Sequence, residues 1–100
     1  MARRDPEEAL LQALRHPLRR RLLRRYVESE AAEGLGPREL ALAEEAPLSN
    51  VSYHVRVLAE KGALELVREA PSSGSVAHLY KATQLVRETP WVLATLGLEG

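Results

Sequence analysis

The chain has no cysteine among its 100 residues. That excludes disulfides and thiolate metal sites, and it fits a reducing, cytosolic setting. Phenylalanine is also absent and aromatics are 4% of the chain. A core must therefore be built from Leu, Val and Ala, which suits helices. No apolar run is long enough to cross a bilayer: the longest, "WVLATLGL", falls well short of the roughly 20 residues required. Arg3 and Arg4 are followed by "DPEE" rather than by an apolar stretch, so no secretory leader is expected. Net charge is zero, which removes any simple argument from a high isoelectric point.

What charge there is lies unevenly. Residues 1–25 hold eight Arg against Asp5, Glu7 and Glu8, a balance of +5, and residues 26–48 hold six Glu against Arg38, a balance of −5. Basic residues are almost all Arg, twelve against two Lys. A nucleic-acid partner remains compatible with this, because the field at a contact face matters more than the total. One hundred residues make a single modest domain.

Local signals set the element order. Asp5-Pro6-Glu7-Glu8 is a helix start, with Asp as N-cap, Pro at the first position and Glu three residues after the cap. Leu10, Leu11 and Leu14 follow at helical spacing, and His16-Pro17 ends the helix. Pro17 opens a second helix with Leu18, Leu22, Leu23, Tyr26 and Val27 on one face and Arg19, Arg20, Arg21, Arg24 and Arg25 mostly on the others. "ESEAAEGLG" reads as a fraying end and a turn at Gly34 and Gly36. Pro37 restarts a helix through "RELALAEEA" to Glu45, and a fourth runs from Leu48 to Lys61, stopped by Gly62. "ALELVRE" and "VAHLYKA" read as strands flanking a turn, "APSSGS". The tail from residue 84 is apolar and broken at Pro90. The expected fold is mainly α with a small β-hairpin, a winged helix-turn-helix over residues 1–83 followed by a C-terminal segment, 84–100, that dimerises or folds back.

The fourth helix carries the functional argument. On a 100° wheel, Val51, Val55, Leu58 and Gly62 share one side, with His54 beside them. Ser49, Asn50, Ser52, Tyr53 and Arg56 share the other, concentrated in the first two turns. A helix entering the major groove reads base edges mainly near its N-terminus. Asn pairs bidentately with adenine and Arg with guanine, and Ser suits either edge. The bland alternative is a solvated surface, which every amphipathic helix has. "RRRLLRR" has the same two readings, a phosphate-binding patch or a solvated helix side.

"HPLRRRLL", "RELALAEEAPLSNVSYHVRVLAEKGALELV" and "SVAHLYKAT" together resemble the ArsR-like winged helix-turn-helix transcriptional regulators, over roughly residues 9–83. Of the family pattern Ser-x-x-x-Ser-x-His-Leu-x-x-Leu, Ser52, His54 and Leu58 match, while Val55 stands where Leu is common. The resemblance implies a cytoplasmic, dimeric regulator binding double-stranded DNA through Ser49, Asn50, Ser52, Tyr53 and Arg56. Arg21 matches an arginine that touches a phosphate or braces the fold. Metal sensing is not expected: the family's thiolate pair needs Cys, and its second site uses Asp and His on a C-terminal helix, where this tail has neither. Glu44 and Glu45 depart from the family's apolar-glycine turn, so Glu44 is expected to point outward from a looser turn. The wing has no basic tip, leaving Ser73, Arg68 and Lys81 as its candidate contacts.

Leu10, Leu11, Leu14, Trp91, Leu93 and Leu96 exceed the obvious needs of a small core, so a homodimer interface through them is expected, with fold-back in a monomer as the competing reading. No cofactor, effector pocket or membrane attachment is expected. His16, His54 and His78 are far apart in sequence, no serine has evident His and Asp partners, and Gly34 and Gly36 do not form a phosphate loop, so an enzyme is not expected. A winged helix can also serve as a protein–protein docking module, which the zero net charge and acidic middle favour.

Overall fold

A computed structural model describes residues 5–98. The protein is mainly helical with one two-stranded antiparallel hairpin, a winged-helix arrangement. Helix α1 spans Pro6–Ala13, α2 Pro17–Glu28, α3 Pro37–Glu44 and α4 Leu48–Glu60; strands β1 (Leu64–Ser72) and β2 (Ser75–Ala82) follow, then α5 (Gln84–Arg87) and α6 (Pro90–Thr95). Among the described residues no helix is long and apolar enough to cross a membrane.

The starts of α1 to α4 lie where the sequence signals put them, while Pro90, read as a break in the tail, opens α6. Asp5 Oδ1 accepts from the Glu7 amide (3.0 Å), and His16 Nδ1 accepts from the Leu18 amide (3.1 Å). Each satisfies one of the donors left unpaired in a first helical turn. Pro occupies the first turn of α1, α2, α3 and α6.

One core joins all of these elements. Leu10, Leu14, Leu22, Leu23, Leu58, Val51 and Val55 meet Val86, Val92 and Leu96 from the tail. Tyr26 takes the central place a phenylalanine would otherwise fill, and its hydroxyl donates to the Leu35 carbonyl (3.2 Å). Burial pushes that hydroxyl's pKa well above its ordinary value.

Two features of the sheet exceed the sequence reading. The turn is not the six residues of "APSSGS" but Ser73-Gly74 alone, because Ser72 pairs with Ser75 and Pro71 with Val76. Both turn residues have positive φ, 26° and 80°, the requirement of a two-residue hairpin whose twist matches its strands. Pro71 is tolerated because β1 is an edge strand. Val67 is the extra residue of a bulge between the Leu66–Tyr80 and Arg68–Leu79 pairs. The second feature is a strand stub before α3. Leu35 and Tyr80 exchange both amide hydrogen bonds at 2.9 Å, tying the α2–α3 loop to β2. Gly34 permits this, with φ +89° and the position of a Cβ only 2.6 Å from the Tyr80 oxygen.

The α3–α4 turn corrects an expectation. Glu44 points inward, its side chain 7% exposed, and the turn is tight: the Ala46 amide donates to the Ala41 carbonyl (3.0 Å). Glu45 supplies the left-handed conformation itself (φ 53°, ψ 44°), in the role glycine fills at little cost. Glu44 stays inside because Arg25 Nε (2.6 Å) and Arg21 Nε (2.9 Å) both donate to it.

Candidate nucleic-acid interface

Helix α4 is anchored on one side and open on the other. Val51, Val55 and Leu58 are at most 1% exposed, and they fix the helix against the core. On the opposite side Ser49, Asn50, Tyr53 and Arg56 are all exposed, and Ser52 is half-buried on the flank. No side chain caps the first turn, whose preceding residue is Pro47. The unpaired amides of that turn, with the positive end of the helix dipole, suit an anionic group.

The α2-facing flank of α4 is held by an unusual contact. The His16 and His54 rings lie 4.3 Å apart between centroids, and Arg19 Nη1 sits 3.3 Å from His54 Nδ1. Burial first, then the charges of His16 and Arg19, hold the His54 imidazole below its ordinary pKa. His78 does not join them: it lies on the wing beside Glu69 (3.0 Å), and the described residues contain no cluster of three or more potential metal ligands.

The other flank of α4 borders a groove of about 480 Å³, closed by the first turn of α3 and by the wing. Leu48, Ser52 and Arg56 stand along its α4 wall, Arg38 on the α3 side and Val76 on the wing. Neither Arg38 nor Arg56 has a protein acceptor among the described residues. Leu48 and Arg38 escaped the sequence reading, although Leu48, Ser52 and Arg56 follow the i, i+4, i+8 spacing of one helix flank.

The arginines of α2 tell a different story. Arg19 Nε donates to the Ala13 carbonyl (2.7 Å) and Arg20 Nη1 to that of Leu14 (2.6 Å), closing the C-terminal end of α1. Arg21 and Arg25 hold Glu44, and Arg24 bonds Glu28 and the Leu96 carbonyl. All five are engaged within the protein. Arg21 thus contacts the α3–α4 turn through Nε, while its side chain stays 58% exposed.

The wing contributes less cationic surface than expected. Ser73 is exposed at the tip. Arg68, however, turns back to Glu33 in the α2–α3 loop (2.5 Å). Lys81 lies at the body end of the hairpin, in a separate groove with Glu65, Leu66 and Arg87, away from α4.

Of the side chains expected to meet a second copy, Leu10, Leu14 and Leu96 are instead buried in the protein's own core. Their surplus disappears because α6 packs back on α1, where Trp91 Nε1 donates to Glu7 (2.8 Å). Leu11 remains 52% exposed, and Trp91 and Leu93 are half-buried. Comparisons with protein-family models and with curated proteins returned no match.

Proposed function

We propose that this protein is a sequence-specific DNA-binding transcriptional regulator of the ArsR-like winged-helix kind, with α4 in the major groove. The carrying observation is that Ser49, Asn50, Tyr53 and Arg56 project together into solvent from a helix whose other side is fixed in the core. Asn50 and Arg56 suit adenine and guanine edges. Arg38 and the groove beside the wing suit a phosphate strand, and helix α3 positions α4 as the first helix of the pair. The recognition chemistry needs no metal or cofactor.

In this reading the protein acts as a homodimer. The apolar surface left on α1 and α6, Leu11 with Trp91 and Leu93, meets its counterpart across a two-fold axis, setting two reading helices roughly 34 Å apart. Sedimentation of the wild type should give a dimeric mass, and Leu11→Glu, a change at an exposed position, should give a monomer. A monomeric wild type would remove the dimer.

The DNA reading is tested by titrating duplex fragments from around the protein's own gene at several salt concentrations. Affinity should fall log-linearly with salt as phosphate counterions are displaced. Binding no tighter than millimolar at low salt would favour a protein-docking module, a reading supported by the exposed Leu66 and Val67 on the wing.

A further inference from the structure

Leu48 is the first residue of α4 and is 43% exposed. It belongs neither to the buried core nor to the apolar side chains packed against that core. An aliphatic side chain thus stands in the turn best placed to touch a ligand, on the same flank as Ser52 and Arg56 and at the mouth of the groove facing the wing. Water is a poor neighbour for the part of it that stays uncovered.

We infer that Leu48 is a specificity-determining residue that reads the 5-methyl group of thymine. The inference rests on the DNA reading above and sharpens it. Of the groups displayed in the major groove, the thymine methyl is the one an aliphatic side chain recognises; the others are hydrogen-bond donors and acceptors. A leucine desolvates donors and acceptors without replacing their bonds, so it also disfavours cytosine at that place. Along α4, Leu48 precedes Arg56 by eight residues, about 12 Å of helix axis or roughly three to four base steps. The thymine should lie that far from the base pair Arg56 reads, on the side of the helix N-terminus.

The test begins with a duplex selected from a random pool by the wild-type protein. Each thymine in it is replaced singly by deoxyuridine, which removes the methyl and leaves the pairing edge intact. Binding is followed by fluorescence anisotropy for the wild type and for Leu48→Ala. One deoxyuridine should weaken wild-type binding about fourfold, the worth of one buried methyl. The same replacement should leave Leu48→Ala unchanged, and the variant's melting temperature should match the wild type's. Because deoxyuridine alters only the DNA, the wild-type half of the experiment is independent of any folding defect. A selected duplex indifferent to deoxyuridine at every position overturns the methyl contact and leaves the DNA reading standing. An equal loss in both proteins assigns the methyl to another side chain and also overturns it. Failure to select any duplex removes the DNA reading itself, and the methyl contact with it.

Discussion

Helices α2 and α4 differ in how the fold uses their arginines. Helix α2 carries five of the chain's twelve arginines and has the look of a nucleic-acid patch, whereas α4 carries one. Yet the five on α2 close helix ends, hold Glu44 and tie down the tail, while Arg56 on α4 is free of protein acceptors among the described residues. The number of charges on a helix therefore says little about a binding face. What counts is whether the fold has already supplied each charge with a partner. Guanidinium groups are well suited to such internal work, because their forked donors reach backbone carbonyls and carboxylates alike.

The largest expected effects fall on α4. Asn50→Ala and Arg56→Ala should each weaken binding to a selected duplex about ten- to a hundredfold and relax preference at one base pair, with unchanged melting temperature. A uniform loss on all sequences would make them phosphate contacts instead. On α2 the pattern should reverse. Glu44→Ala should cost about 2 kcal/mol of stability by removing two charged hydrogen bonds, measured by urea unfolding. The same variant, where folded, should keep the wild-type salt dependence of binding. A flatter salt dependence after loss of Arg21 and Arg25 would break the comparison, because it would mean those guanidiniums do reach phosphate.

The acid limb of stability sharpens the same contrast. Burial raises the Glu44 pKa, but the hydrogen bonds and charges of Arg25 and Arg21 outweigh it, so the carboxyl sits below its ordinary value of 4.5. Its contribution is therefore complete above that value and is lost as the pH falls through the folded pKa, a loss absent from Glu44→Ala. A smaller gain is expected at the next residue. Glu45→Gly should stabilise by about 1 kcal/mol, because glycine adopts the left-handed conformation without the side-chain penalty. An unchanged unfolding midpoint would show that the Glu45 side chain compensates elsewhere. The smallest effect belongs to His54. Its pKa is depressed, so stability should be full above the ordinary 6.5 and decline as the pH drops below it; His54→Gln should flatten that part of the profile.

Much of the molecule was legible because its signals are local. Asp5, His16 and the prolines at 6, 17 and 37 mark helix starts whatever surrounds them, and the spacing of Val51, Val55 and Leu58 names the buried side of α4. The exposed candidates Ser49, Asn50, Tyr53 and Arg56 followed from that side by elimination. The wing was underestimated because two residues suffice for its turn, and composition alone made "APSSGS" look like one loop. Glu44 was misjudged for a different reason. An acidic residue reads as surface unless its partners are known, and Arg21 and Arg25 are nineteen or more positions away.

Local signals were enough for the order of elements, the starts of the first four helices and the two faces of α4, since caps, prolines and periodicity act within a few residues. Where each charge finds its partner, and which apolar side chains remain in water, follows from the packed fold. That fold buried Leu10, Leu14 and Leu96, left Leu11 and Leu48 outside, and gave each arginine of α2 an acceptor within the protein. Those outcomes depend on distances between residues far apart in the chain, and such distances exist only once the core has closed.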